Sequence, residues 1–312
     1  MVEPIYPRYR GATMRTVIAK RTYVPAALLL LGLTAAAGGA AAQAPRTQPA
    51  ADVDALRRDP VNAFVLGNVE YIVLHELAHV IIDDLKVPVI GPLEGAADYI
   101  ATAVLIRADQ FDPEAADRAR NYLLATANGL ATSWDVGLRT GREVQFWDSH
   151  ALTIQRFYQI ICLVYGSNPQ AFHDLPEQLG MPAKRTAGCE QEFARADSTL
   201  TWLLDNYGRG PNDPPGAEVS LDFESPPTRV SASMASVVRK SGMLNNTIRL
   251  LRERFALPEP LDIVFRTCHA PQANWLPAQR EVVLCYELLD AYYLLATDQR
   301  ASDRRTILTD PP

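Results

Sequence analysis

The chain has 312 residues, 48% of them apolar, and a formal net charge of −6 at neutral pH. That acidic balance argues against a nucleic-acid partner, whose phosphates call for a basic face. The length suffices for one large core or two intimately packed subdomains.

Residues 1–42 read as a signal peptide. Lys20 and Arg21 lead into the apolar run VPAALLLLGLTAAAGGAAA, and Ala40 and Ala42 suit a cleavage site before Gln43, with Met14 as an alternative start. The Leu-rich centre is short and dilutes into Ala and Gly, so no stable membrane span is expected after cleavage. The expected location is periplasmic or secreted, and removal of this segment takes the formal charge to −10. Export permits disulfides among Cys162, Cys189, Cys268 and Cys285; spacing suggests 162 with 189 and 268 with 285, although three connectivities exist.

Residues 43–58, polar and Ala-rich, read as a flexible arm, and Asp59-Pro60 as an N-cap and first-turn pair opening a helical region over 59–208. That first helix contains Tyr71–Ile81, YIVLHELAHVI, with the pattern H-E-x-x-H. Residues four apart share a helix face, so His75 and His79 can aim two imidazole nitrogens at one metal ion, expected to be Zn2+. Glu76, about 100° round the helix from His75, is the candidate general base rather than a ligand. The flanking Ile72, Val73, Leu74, Leu77, Ala78, Val80 and Ile81 are those of a buried helix; the bland alternative is a core helix with two satisfied histidines.

Lys86-Val87-Pro88 ends this helix and Gly91-Pro92 opens another, LEGAADYIATAVLI, in which Glu94 and Asp98 are again four apart. Two antiparallel helices would bring Glu94 opposite the histidines as third ligand, with Asp98 orienting one imidazole through its other nitrogen. Asp98 as ligand, or Glu94 as a first-turn carboxylate favoured by the helix dipole, are the rivals. Asp83 and Asp84 follow on the first helix as surface or outer carboxylates. Further helices are expected over 113–126, 153–165 and 190–207, then a linker over 209–216. The segment 217–299 mixes strands at 218–223, 261–268 and 281–286 with helices at 231–255 and from 287 to about 299. Residues 300–312 form a tail.

The fold class expected is α+β: mainly helical and zincin-like, with a small sheet from the C-terminal segment. Zincin domains lay a sheet against the H-E-x-x-H helix, and nothing in front of Pro60 alternates like a strand. The sheet must therefore come from residues 217–286, by a permuted segment order, or from a partner in a domain-swapped homodimer.

The stretches HELAHVIIDDLKVPVIGPLEGAADYIA, HALTIQRFYQIICLVYGSNP, AGC at 187–189 and CHAPQANWLPAQREVVLCYELL resemble a bacterial family of exported metallopeptidase-like proteins of otherwise undefined function. The pattern is gluzincin-like, H-E-x-x-H followed by E-x-x-x-D. The resemblance covers most of residues 60–299 and implies zinc-dependent peptide hydrolysis with His75 and His79 as ligands and Glu76 as base. In that family the C-Y-E-L segment precedes the metal helix, whereas here it follows, which agrees with permutation or with a degenerate second copy.

An oxyanion donor is also needed, and by the family motif His150, Arg156 and Tyr158 are the nearest candidates, with His150 carried forward; the more ordinary role for each is structural, capping the helix or packing the core. His173 and His269 lack ligand spacing; Tyr292-Tyr293 read as a core stripe; Trp275 lines a cleft or covers a hairpin. The substrate expected is a peptide or protein. The competing reading is a non-catalytic periplasmic zincin-like module that binds a peptide or protein, and a third is hydrolysis of another amide, such as a cell-wall crosslink.

Overall fold

A computed structural model describes residues 50–108, 116–210 and 212–298. The expected signal peptide, the first part of the arm, the start of the helix expected at 113 and the tail lie outside the described residues. The elements in chain order are α1 (Ala50–Arg58), α2 (Pro60–Leu85), α3 (Leu93–Ile106), α4 (Ala116–Arg139), α5 (Thr153–Ser167), the single turns α6 (Leu175–Gln178) and α7 (Ala183–Thr186), and α8 (Cys189–Tyr207). The C-terminal segment continues with β1 (Val219–Phe223), α9 (Arg229–Ser241), α10 (Met243–Arg254), β2 (Leu261–Arg266), β3 (Ala273–Leu276), β4 (Glu281–Cys285) and α11 (Tyr286–Thr297). The protein is mainly helical with one small mixed sheet, an α+β fold.

The axis of the molecule is α2. Asp59 caps it by accepting from the amides of Val61 and Asn62 at 3.0 and 2.9 Å, Pro60 fills its first turn, and Lys86 ends it in the left-handed conformation ahead of Pro88. By length and composition α2 could cross a membrane, but 83% of its most apolar window is buried inside the protein. It is apolar all round because it is covered all round. Val65, Leu66, Val69, Val73, Leu77 and Val80 join one core with α9, α10 and the sheet, including Val238, Leu244, Ile263, Phe265 and Leu284. Tyr71 joins a second core with α3, α4 and α5, including Leu105, Leu123, Phe157 and Ile161.

The sheet has strand order β1-β2-β4-β3, with β1, β2 and β4 parallel and β3 antiparallel to β4. The edge strand β3 lies against α2, so this chain's own C-terminal segment covers the H-E-x-x-H helix and no swapped partner is needed to supply the sheet. Disulfides join Cys162 to Cys189, linking α5 to the start of α8, and Cys268 to Cys285, linking the stretch after β2 to the end of β4.

Two sequence expectations change. Residues 50–58 form α1 instead of an arm: Leu56 packs on the main core, and Arg57 donates to the carbonyl of Ser241. Helix α4 runs on to Arg139, because its small and polar residues lie inward and are satisfied; Thr126 donates to the carbonyls of Gly67 at 3.1 Å and Tyr122 at 3.0 Å. The helical stretch expected over 231–255, as one helix or two, is two helices broken at Gly242, whose φ of 67° suits glycine.

Gly67 decides how closely α2 and α4 approach. A Cβ there would lie 2.6 Å from the carbonyl oxygen and 2.8 Å from the Cα of Tyr122, both backbone atoms that cannot swing aside. Alanine is the better helix former by about 1 kcal/mol, but overpacking costs about 1–3 kcal/mol and acts here on rigid backbone. Gly67→Ala is therefore expected to lower stability in urea denaturation; a stabilised variant would refute the close-approach account.

Candidate metal centre

Helices α2 and α3 run antiparallel across a seven-residue connection, 86–92, in which Gly91 takes φ 103°. As α3 advances from Glu94 to Asp98 its contacts step back along α2, from His79 and His75 to His75 and Tyr71. Glu94 Oε2 lies 3.1 Å from His75 Nε2 and 3.3 Å from His79 Nε2, and the two Nε2 atoms are 3.2 Å apart. Ligands at zinc distances of ~2.0–2.1 Å in a tetrahedron are about 3.3 Å from one another. The three side chains thus form one face of a tetrahedral site and could hold a metal ion.

The second layer determines which atoms face inward. Asp98 Oδ1 accepts from His75 Nδ1 at 2.9 Å, from the Tyr71 hydroxyl at 3.0 Å and from Arg156 Nη2 at 2.6 Å, while Oδ2 accepts from Arg156 Nε at 2.7 Å. Burial opposes charge on Asp98, but His75 and the Arg156 guanidinium hold its carboxyl below the usual range. An ionised Asp98 only accepts, so His75 Nδ1 carries hydrogen and Nε2 is left to face Glu94 and His79.

Three acceptor atoms meeting at one point require positive charge there. Without a metal, His75 supplies it: burial pulls its pKa down, yet the hydrogen bonds to Asp98 and Glu94 push it up to about 9. Burial and the His75 charge push His79 the other way. The His75 hydrogen bond, working against burial, takes Glu94 down to about 2.

Glu76 is buried on the neighbouring face of α2 and accepts from the backbone amide of Trp275 at 2.8 Å. Burial raises its pKa against the opposing His75 charge and the Trp275 amide. His150 reaches the cluster from the loop before α5, its Nε2 2.8 Å from Glu94 Oε2. Asp148 holds it by accepting from its backbone amide at 2.8 Å and from Nδ1 at 3.0 Å.

Six of the candidates the sequence singled out, His75, Glu76, His79, Glu94, Asp98 and His150, are thus brought into one cluster. Arg156 is tied to Asp98, one step out, and Tyr158 packs beside Phe157 in the second core. His173 pairs with its neighbour Asp174 at 3.0 Å, and His269 occupies a left-handed turn position. Sequence reasoning missed Tyr71, Asp148 and the Trp275 amide. Tyr71 had a signal, lying four residues before His75 on the same face; the amide had none. One other group of donor side chains gathers among the described residues, Cys268, Cys285 and Glu287, but its cysteines are joined as a disulfide and Glu287 accepts from the amides of Cys268 and His269.

A family model described as "Putative metallopeptidase" matches residues 46–204 and 223–310, most of the chain. No curated protein and no solved structure matches the chain.

A metal ion must displace the proton that His75 carries below a pKa of about 9. Binding near pH 7 is expected to release about one proton per ion, and the release should vanish as the pH rises past that pKa, where the imidazole is already neutral. Calorimetric titration in buffers of different ionisation enthalpy measures this directly. Asp98→Asn, which weakens the hold on His75 Nδ1, is expected to lower metal affinity by roughly 10–100-fold; unchanged affinity would refute its orienting role.

Proposed function

The chain belongs to this metallopeptidase family, and on that premise we propose that it is a zinc-dependent peptidase, exported to the periplasm or secreted, that hydrolyses peptide or protein substrates. The observation that carries the proposal is the convergence of His75 Nε2, His79 Nε2 and Glu94 Oε2 within 3.3 Å of one another, with the buried carboxylate of Glu76 beside them. Two imidazoles and one carboxylate are a donor set that suits zinc, and three protein ligands leave a fourth position open, as catalytic sites need. When bound, zinc supplies Lewis acidity, lowering the pKa of water and polarising a carbonyl.

The chain's own residues supply the rest. Glu76, with its pKa raised, is the stronger base for it; it takes a proton from the attacking water and returns it to the leaving amine nitrogen. Its Oε2 is engaged by the Trp275 amide, which leaves Oε1 for the proton. His150, anchored by Asp148, directs Nε2 toward the ligand cluster, where an N–H can donate to the oxygen that gains negative charge as the carbonyl is attacked. Asp98, Tyr71 and Arg156 hold His75 in its tautomer and take no part in proton transfer. The two disulfides support the exported location, which suits an oxidising compartment.

Glu76→Gln is expected to keep full zinc stoichiometry and lose at least 10²-fold in kcat on a fluorogenic peptide substrate. His150→Ala should lose about 10²–10³-fold in kcat with little change in KM. If the zinc-loaded wild-type protein cleaves no member of a broad peptide library, the non-catalytic binding module is the better reading.

A further inference from the structure

We infer that Asp83, Asp84, Trp275 and Arg280 form a clamp that positions Glu76: the last turn of α2 locks the β3–β4 hairpin, and the locked hairpin presents one backbone amide to the base. The inference rests on the role proposed for Glu76, and it assigns four positioning residues that lie outside the ligand set.

The starting point is the ladder between β3 and β4. Cys285 N donates to Gln272 O at 3.0 Å, so residues 272 and 285 form a hydrogen-bonded pair. The register then runs Ala273 with Leu284, Asn274 with Val283 and Trp275 with Val282. Bonded and non-bonded pairs alternate in an antiparallel ladder. Trp275 therefore falls at a non-bonded position, and its amide and carbonyl face away from β4. The ladder offers that amide no partner; Glu76 Oε2, at 2.8 Å, is its acceptor. A partly buried amide without an acceptor is costly, and so is a buried carboxylate without a donor. Each group satisfies the other.

Where that amide sits depends on what holds the hairpin. The Trp275 indole donates through Nε1 to Asp83 Oδ2 at 2.9 Å. Arg280, in the turn after β3, donates to Asp84 through Nη1 and Nη2, at 2.5 and 2.8 Å, and its guanidinium lies over the Trp275 ring, 5.1 Å from the centroid. Asp84 is only 8% exposed and Arg280 21%, so this bidentate pair is shielded from water far more than an ordinary surface pair. Asp83 and Asp84 stand four and five residues after His79 on the same helix. One rigid element therefore carries two of the proposed ligands, the base, and the two carboxylates that set the hairpin against the base. Displacing the hairpin by a fraction of an ångström would turn the Glu76 carboxylate on its side chain while leaving His75, His79 and Glu94 where they are.

The test measures hydrogen exchange at individual amides in the zinc-loaded full-length protein, together with kinetics on a fluorogenic peptide. In Glu76→Ala, Asp83→Leu and Arg280→Met the Trp275 amide should exchange roughly 5- to 30-fold faster, the loss of one hydrogen bond. The Asn274 amide, bonded to β4, should hold its rate. Asp83→Asn keeps an acceptor for the indole and should behave as wild type. In the clamp variants kcat should fall about 10²-fold with KM and zinc stoichiometry unchanged. If Arg280→Met disrupts the hairpin as a whole, Asp83→Leu, which keeps the Arg280–Asp84 pair, carries the decision, with Asp83→Asn controlling for the charge lost near His79. A Trp275 amide that stays protected in Asp83→Leu, or an Asn274 amide that accelerates equally, overturns the clamp. A wild-type protein that cleaves nothing while its Trp275 amide responds as expected sinks the peptidase reading and leaves the clamp in place.

Discussion

The structure is organised by a single constraint, that α2 is apolar on every side and cannot meet water along most of its length. A helix with one greasy stripe needs one neighbour; this one needs a complete sheath. Helices α3 and α4 cover one side of it, and α1, α9, α10, α11 and the edge of the sheet cover the rest. The C-terminal segment therefore returns to the front of the chain to complete a core that the first two hundred residues leave open. Within that sheath sit His75, Glu76 and His79, three polar side chains in a buried stretch. Burial makes each of them expensive unless it is paired, and the pairing is what builds the site.

The pairing has a definite electrostatic form. Glu94, Asp98 and Glu76 supply negative charge around two imidazoles, and of the nearby cations Arg156 is committed to Asp98 by two hydrogen bonds. That leaves an excess of acceptors at the His75, His79 and Glu94 meeting point. A proton on His75 relieves the excess, and a divalent cation relieves it better, because it can satisfy all three lone pairs at once. Low dielectric sharpens the preference, since uncompensated charge in a buried site is the costliest arrangement open to it.

How much of this could be seen in the sequence follows the range of each interaction. His75 with His79 and Glu94 with Asp98 are four-residue spacings on single helices, and the turn between the helices announces itself through Pro88, Gly91 and Pro92. His150 was legible only through the motif it begins. Strands β1, β2 and β4 alternate or run apolar in the expected way, whereas β3 reads ANWL, without a β-branched residue, and its identity comes from pairing with β4. Helix α4 was cut short for the converse reason. Its Thr and Asn residues look like a loop in one dimension and pack inward in three, against the bare backbone of Gly67. The bond between Trp275 and Glu76 spans 199 positions and is donated by the backbone, so no residue type marks it.

That last bond shows why the two halves of the chain carry different duties. The three atoms of the His75, His79 and Glu94 cluster come from residues 75 to 94, and the side chains hydrogen-bonded around His75, Asp98 directly and Tyr71 and Arg156 through it, lie in the helical half. Among the described residues, the C-terminal half adds no side chain to this cluster; it contributes the amide that meets Glu76. On the proposed roles, metal binding and base positioning fall to separate packing contacts on one helix. Loosening the sheet would take away the partner of Glu76, whereas loosening α3 would act on Glu94 and Asp98 beside His75 and His79. The fold of the second half thus bears on the chemistry of the first through one hydrogen bond, and the side chains that fix that bond, Asp83, Asp84, Trp275 and Arg280, matter for where they hold it.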